Sequence, residues 1–135
     1  MSEIYETHDS GKREEFDTGA KRDTRVGKGR YDLIPPVALI RLAGVFERGA
    51  AKYGENNWRK GMPLSRFVDS ATRHLIQWRL AEEKGVKQDE DHLAQAVWNL
   101  MAIIELEGRK DLNDIYELAN PEVDGGSTEK ETDQR

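Results

Sequence analysis

The chain has 135 residues, no cysteine and a formal net charge of −5 at pH 7. A domain of this length buries enough core to fold by itself, and the lack of cysteine excludes disulfides and thiolate metal sites. No apolar run approaches the ~18 residues of a membrane span, and an acidic chain is a poor partner for nucleic acid. Residues 1–16 lack the apolar segment of a signal peptide, so we expect a cytoplasmic protein.

The two ends of the chain are polar and poor in apolar residues. This composition predicts a flexible tail at 1–17 and a disordered tail at 120–135. The folded domain is expected to span residues 18–119.

The first helix is predicted to begin at Pro35-Pro36, because proline fits a first helical turn, and to stop around Gly54. The second helix is predicted to start near Ser65 as its N-cap and to end before Gly85. Apolar residues recur at helical spacing in both.

The third helix is predicted to be capped by Asp89 and to close at Gly108, and a short fourth helix is expected from Asn113 to Leu118. No segment alternates like a strand, so the fold is expected to be all-α, a helical bundle without a sheet. Apolar groups cover nearly the whole circumference of helix three. Two other helices cannot cover it, so we expect a homo-oligomer.

Helix three also carries polar residues where a buried helix should have none. His92, Gln95 and Asn99 fall at i, i+3 and i+7, on one stripe. Burying an unpaired polar group costs a few kcal/mol, so the stripe must meet partners, water, a metal or a ligand. It is the best candidate for a site.

Helix two contributes a second inward histidine, His74, beside Asp69 and Arg73 at i,i+4 spacing. Taken alone, Asp69 and Arg73 are best explained as an ordinary exposed ion pair, and a lone inward histidine as a satisfied core residue. Two histidines on apolar helices, with His92 beside an acid, instead indicate a shared site.

Carboxylates occur near the ends of all three helices. Solvated loops explain most such acids, but carboxylates gathered from separate helices also hold Mg²⁺ or Mn²⁺. The candidate metal ligands are Glu47, Asp69, Asp89 and Asp91.

Basic, amide and aromatic side chains flank the first helix, and such groups bind phosphates and stack on bases. The alternative for Trp58 is that it plugs the core. The candidate substrate-binding residues are Lys28, Arg30, Tyr31, Lys52, Tyr53, Asn57, Trp58, Arg59 and Lys60, with Gln95 and Asn99 of the stripe.

Five motifs follow one another in the order TGAKRD, GKGRYDLIPPVAL, KYGENNWRKG, DSATRHL and DEDHLAQAVWN. Over roughly residues 18–107 the chain resembles the phage dATP/dGTP diphosphohydrolase family, which is MazZ-type and belongs to the MazG-like all-α NTP pyrophosphatases. The resemblance implies cleavage of purine deoxynucleoside triphosphates to the monophosphate and pyrophosphate with Mg²⁺ or Mn²⁺. In phages with 2-aminoadenine (diaminopurine) DNA, such an enzyme supplies dGMP and lowers dATP in the host cytoplasm.

The chain departs from the wider MazG-like pattern of EExxE on one helix and ExxD on the next. Asp69 stands at the place of the first acid, and Asp91, His92 and Gln95 replace the second motif. The exact metal ligands therefore stay open. In a metal-assisted hydrolysis, Arg73 would spread developing charge, and His74 or His92 would be a ligand or general base.

Two other functions stay open on the sequence. One is a non-catalytic phage accessory or nucleotide-binding protein, in which the stripe is a polar contact between subunits. The other is an HD-type metal phosphohydrolase, against which the lack of a His-Asp step counts.

Overall fold

The computed structural model describes residues 5–121, so the expected disordered tail beyond residue 121 lies outside the described residues. The chain divides between Pro35 and Pro36 into two compact units, which are described one at a time.

The first unit contains a small antiparallel hairpin of β1 (Arg13–Glu15) and β2 (Lys21–Asp23). Its turn is closed by a hydrogen bond of 2.9 Å from Phe16 N to the Ala20 carbonyl. The expectation of a fold without any sheet was wrong here, because charged residues form these strands and leave no apolar alternation. The predicted domain boundary at Thr18 falls inside the turn of the hairpin, and the expected tail 1–17 includes β1.

The second unit contains the helices α1 (Pro36–Tyr53), α2 (Leu64–Lys84), α3 (His92–Leu106) and α4 (Ile115–Ala119). α3 packs along α2 and also contacts α1. The helical content confirms the all-α fold class. None of the helices in residues 5–121 has the length and apolar character needed to cross a membrane.

The C-terminal ends of α1 and α2 follow local signals, whereas the start of α3 differs from the prediction. α1 stops before Gly54, and α2 before Gly85, which adopts φ 68° and donates its N–H to the carbonyls of Ala81 and Glu82 at the end of the helix. The N-cap of α3 is Asp91, whose Oδ1 accepts a hydrogen bond of 3.2 Å from Ala94 N. The prediction of Asp89 as the cap was wrong, because Asp89 instead bonds the side chain of His92.

The start of α2 is stabilised from a distant part of the chain. Pro63 occupies the N-cap position, so the prediction of Ser65 as N-cap was wrong. Asp114, just before α4, accepts hydrogen bonds from Ser65 N, at 2.9 Å, and from Ser65 Oγ. This carboxylate satisfies one of the free N–H groups of the first turn, as a local cap would.

The core of the second unit lies where α1, α2 and α3 meet the 3-10 turn Asn57–Lys60. Trp58 and Phe67 are buried, together with Leu64, Ala102 and Leu106. Ring centroids of Phe46, Trp58 and Trp98 lie 6.1–6.5 Å apart in edge-to-face contacts, a geometry that aromatic pairs favour. Trp58 therefore packs in the core, as the alternative reading of its sequence position had it.

Gly61 gives a test of this packing. It has φ 96°, and a Cβ there would lie 2.8 Å from Arg109 Nη1 and 2.9 Å from Leu112 Cδ1. Gly61→Ala is therefore expected to lower the free energy of unfolding by about 1–3 kcal/mol through backbone strain and overpacking. Gly49→Ala is the control, because a Cβ there meets nothing within 4 Å. Urea denaturation measures both, and equal stabilities would contradict the expectation.

Candidate functional site

A cavity of about 510 Å³ opens beside the aromatic core of the second unit. Aromatic rings from α1, the 3-10 turn, α2 and α3 form its walls, because Phe46, Tyr53, Trp58, Phe67 and Trp98 converge there. Its other lining residues are Gly49, Ala50, Gly54, Glu55, Asn56, Asn57, Met62, Arg66, Ser70 and Asn99. A ligand with a flat ring and polar groups at its edge would fit such a lining.

The buried polar group of the cavity is Asn99, whose exposure is 5%. Its Nδ2 donates to Ser70 Oγ at 3.1 Å and to the Gln95 carbonyl at 2.8 Å. Within residues 5–121 its Oδ1 accepts no hydrogen bond. Both N–H groups of the Asn99 amide are used in these hydrogen bonds, and its Oδ1 can accept a hydrogen bond from a ligand in the cavity.

Two helical turns before Asn99, the polar stripe of α3 reaches His92, which contacts His74 of α2. His92, which is 3% exposed, places Nδ1 2.9 Å from Nδ1 of His74 on α2. Its Nε2 lies 2.7 Å from Asp89 Oδ1. The two histidines are therefore in contact, and their role in a shared site stays a prediction. Each residue of the stripe has at least one protein partner.

The surroundings shift two pKa values in this cluster. Burial lowers the pKa of His74, and His92 and Arg73 add to the effect, so the neutral imidazole is favoured. The hydrogen bond from His92 lowers the pKa of Asp89, which keeps its carboxylate ionised.

Two exposed carboxylates stand beside the histidines. One ligand atom from each of Asp89, Glu90 and His92 lies within 4.8 Å of the others, the only such group of three in the described residues. His92 Nε2 is already bonded to Asp89, whose carboxylate also has the backbone N–H groups of Asp89 and Glu90 beside it. Two carboxylates, completed by water and phosphate oxygens, form the kind of donor set that Mg²⁺ or Mn²⁺ takes.

The family model of the dATP/dGTP diphosphohydrolase N-terminal domain matches residues 18–115. The chain belongs to this family. The match confirms the resemblance drawn from the ordered motifs, and the name of the family describes hydrolysis of purine deoxynucleotides. No curated protein and no solved structure matches the chain.

The fold does not bring the four predicted metal ligands together. Asp69 has 75% of its side chain exposed and pairs with Arg73 at 3.1 Å. Asp91 caps α3 and receives two hydrogen bonds from Arg41, and Glu47 is exposed on α1. Only Asp89 lies in the carboxylate pair, and the metal-binding roles of the other three stay predictions.

Four of the predicted substrate-binding residues line the cavity: Tyr53, Asn57, Trp58 and Asn99. Others lie outside its lining. Arg59 stacks its guanidinium 4.6 Å from the Trp58 ring, Lys52 lies 5.3 Å from the Tyr53 ring, Lys60 is exposed, and Gln95 donates to Glu90 at 2.9 Å.

The remaining three predicted substrate-binding residues belong to the first unit. Lys28 pairs with Asp23 at 2.8 Å and Arg30 with Asp32 at 2.9 Å, and the Tyr31 ring is exposed. Their binding roles stay predictions.

Most residues of the cavity wall are not among the predicted site residues. Phe46 and Tyr53 stand seven residues apart on α1, with the small Gly49 and Ala50 between them, and this spacing puts a recess between two rings. The sequence therefore contained a signal for this part of the cavity wall. The sequence contained no signal for Arg66 and Ser70, because their place in the lining depends on how α2 packs.

Asp69 and Asp91 each pair with an arginine, but 75% of the Asp69 side chain is exposed and only 24% of the Asp91 side chain, which gives a pH-dependent prediction. The hydrogen bond from Arg41 lowers the pKa of Asp91, so this pair stabilises the fold above the usual aspartate pKa. That stabilisation is lost as the pH falls through the lowered value. Asp91→Asn keeps a capping side chain, so its deficit against wild type should be larger at pH 7 than at pH 3.

Urea denaturation at the two pH values measures this, with Asp69→Asn as the exposed control that should change stability little. Asp91→Ala should lose about 1 kcal/mol more than Asp91→Asn because the cap is removed. A deficit of Asp91→Asn that is the same at both pH values would refute the role of the ion pair.

Proposed function

We propose that the protein hydrolyses dGTP and dATP between the α and β phosphates, giving the monophosphate and pyrophosphate, with Mg²⁺ or Mn²⁺. The observation that carries the proposal is the arrangement along α3. An aromatic cavity lies at Asn99, and two carboxylates precede the helix at Asp89 and Glu90. Both ends belong to the same compact unit.

The cavity would take the purine base. Its rings offer stacking surfaces, and the free Oδ1 of Asn99 accepts from an amino group, which adenine and guanine both carry. Its volume of about 510 Å³ is in the range of small-molecule sites.

The triphosphate would extend from the cavity towards the start of α3. Asn99 and His92 are seven residues apart, a rise of about 10 Å along the helix. This separation suits a nucleotide with its base at Asn99 and its phosphates near Asp89. A divalent ion held by Asp89 and Glu90 would neutralise the phosphate charge, which otherwise repels both carboxylates.

An oligomer is part of the proposal, because helix faces without partners in one chain carry large apolar side chains. These exposed residues include Val37, Ile40, Val68, Leu75, Ile76, Val97, Leu100 and Ile104. Contiguous apolar faces of this kind mark subunit contacts. A phage origin, a host-cytoplasmic setting and a role in 2-aminoadenine DNA synthesis or deoxynucleotide-pool control stay predictions.

The activity is tested with purified protein and each dNTP and NTP, the products being separated by chromatography. We expect dGMP and dAMP with pyrophosphate, poor turnover of pyrimidines, and loss of turnover in EDTA that Mg²⁺ or Mn²⁺ restores. Release of tripolyphosphate would indicate an HD-type reaction instead. Stepwise release of phosphate, or full activity in EDTA, would contradict the proposal, and binding without turnover would indicate a nucleotide-binding protein.

The base site is tested at Tyr53, whose side chain is 64% exposed and lines the cavity. Removing a stacking ring costs about 1–3 kcal/mol per base, so Tyr53→Ala should raise KM for dGTP at least several-fold with little change in melting temperature. Tyr116→Ala is the control, since Tyr116 is 58% exposed and lies outside the cavity. Equal KM values for the two variants would place the base elsewhere.

A further inference from the structure

Glu55 and Arg66 are the charged residues in the lining of the aromatic cavity, and every other lining residue is uncharged. Glu55 follows Gly54 at the end of α1, and Arg66 lies in the first turn of α2. Both residues are exposed, and within residues 5–121 neither side chain makes a hydrogen bond or an ion pair. Each can therefore bond a ligand in the cavity without giving up a protein partner.

Arg66 influences the titration of Asp114, which lies just before α4, without bonding it. Burial acts to raise the pKa of Asp114, but hydrogen bonds from Ser65 and the charge of Arg66 lower it. Both carboxylate oxygens of Asp114 already accept from Ser65, one from its N–H and the other from its hydroxyl. The N–H groups of the Arg66 guanidinium are therefore left for another acceptor.

The acceptor groups of the cavity come from two sides of its wall. The Glu55 carboxylate has two acceptor oxygens and belongs to the loop after α1, whereas Asn99 Oδ1 belongs to α3. Arg66 faces the same space from α2 with donors only. The cavity thus offers a ligand an anionic group and a cationic group at separate places on its wall.

Guanine and adenine differ in how donors and acceptors are arranged around the ring. In guanine the N1–H and the 2-amino group are adjacent donors, and O6 and N7 are adjacent acceptors. In adenine the 6-amino group lies between the lone pairs of N1 and N7. A carboxylate accepts two parallel N–H bonds and a guanidinium donates two, so a wall with one of each fits guanine. The same carboxylate would repel the N1 lone pair of adenine.

We propose that Glu55 and Arg66 make the cavity selective for guanine over adenine. Glu55 accepts from N1–H and from one hydrogen of the 2-amino group, and Arg66 donates to O6 and N7. The second hydrogen of the 2-amino group is left for Asn99 Oδ1. The inference rests on the proposed function and narrows its substrate, because adenine keeps the stacking contacts but loses the paired hydrogen bonds.

The first test measures binding without turnover. Isothermal titration calorimetry of wild type in Mg²⁺ buffer uses dGMP, dAMP and dIMP, whose base lacks only the 2-amino group of guanine. One bidentate contact discriminates between bases by about 5–150-fold, so dGMP should bind more tightly than dAMP by at least that range, with dIMP between them. Equal dissociation constants for dGMP and dAMP, or no binding of either, would overturn the inference.

The second test is Glu55→Gln, which keeps the shape of the side chain and replaces one acceptor oxygen by a donor. The ratio of kcat/KM for dGTP to kcat/KM for dATP is expected to fall at least 5-fold, mainly through KM for dGTP. Glu55→Asp keeps the charge and should retain part of the preference. Glu105→Gln is the matched control, since Glu105 is exposed on α3 outside the cavity lining. An unchanged ratio in Glu55→Gln would overturn the inference.

The third test separates the reading of the base from a general attraction of phosphate. Arg66→Gln is expected to weaken dGMP and dIMP by the same factor, because both bases carry O6 and N7, and to change dAMP less. Arg79→Gln is the control, because Arg79 pairs with Glu83 in an exposed ion pair of the same helix. An equal loss for dGMP and dAMP in Arg66→Gln would make Arg66 a phosphate contact and overturn its assigned role.

These measurements also distinguish the inference from the function on which it rests. Hydrolysis of dGTP and dATP by wild type with equal kcat/KM would overturn the guanine preference and leave the proposed function standing. Preferential binding of dGMP that Glu55→Gln abolishes, together with no hydrolysis of any nucleotide, would overturn the proposed function and leave a guanine site.

Discussion

The packing of α2 against α3 depends on the need to satisfy polar side chains that are buried in their contact. His92 and Asn99 are 3% and 5% exposed, and an unpaired group at either place would cost a few kcal/mol. Ser70 and His74, one turn apart on α2, supply the partners. A slip of one residue between the helices would break both contacts, so the same bonds that hold the bundle also set the register of the site.

The sequence predicted those features that depend on neighbouring residues. The ends of α1 and α2 follow from Pro36, Gly54 and Gly85, and the stripe of α3 follows from the period of the helix. A buried polar stripe implies a partner, and a histidine on the facing helix was the natural candidate. The pairing of His74 with His92 could therefore be predicted from the sequence alone.

Other features depend on residues far apart in the chain and gave no local signal. The start of α2 is capped by Asp114, 49 residues after Ser65. Asp91 was predicted as a metal ligand, but it bonds Arg41 on another helix. The hairpin of the first unit is built from charged residues whose pairing no periodicity indicates. In each case the partner is a residue that no local pattern of the sequence points to.

The contact of Trp58 with Trp98 has an optical consequence. Their rings lie 6.2 Å apart at an angle of 76°, they are two of the three tryptophans in the chain, and both line the cavity. Indoles held this close in a fixed, chiral arrangement couple their strong electronic transitions, so the far-ultraviolet circular dichroism of the protein should contain an exciton signal from this pair. A stacked guest would perturb that coupling directly. The wall of the cavity is thus a built-in, label-free reporter of its own occupancy.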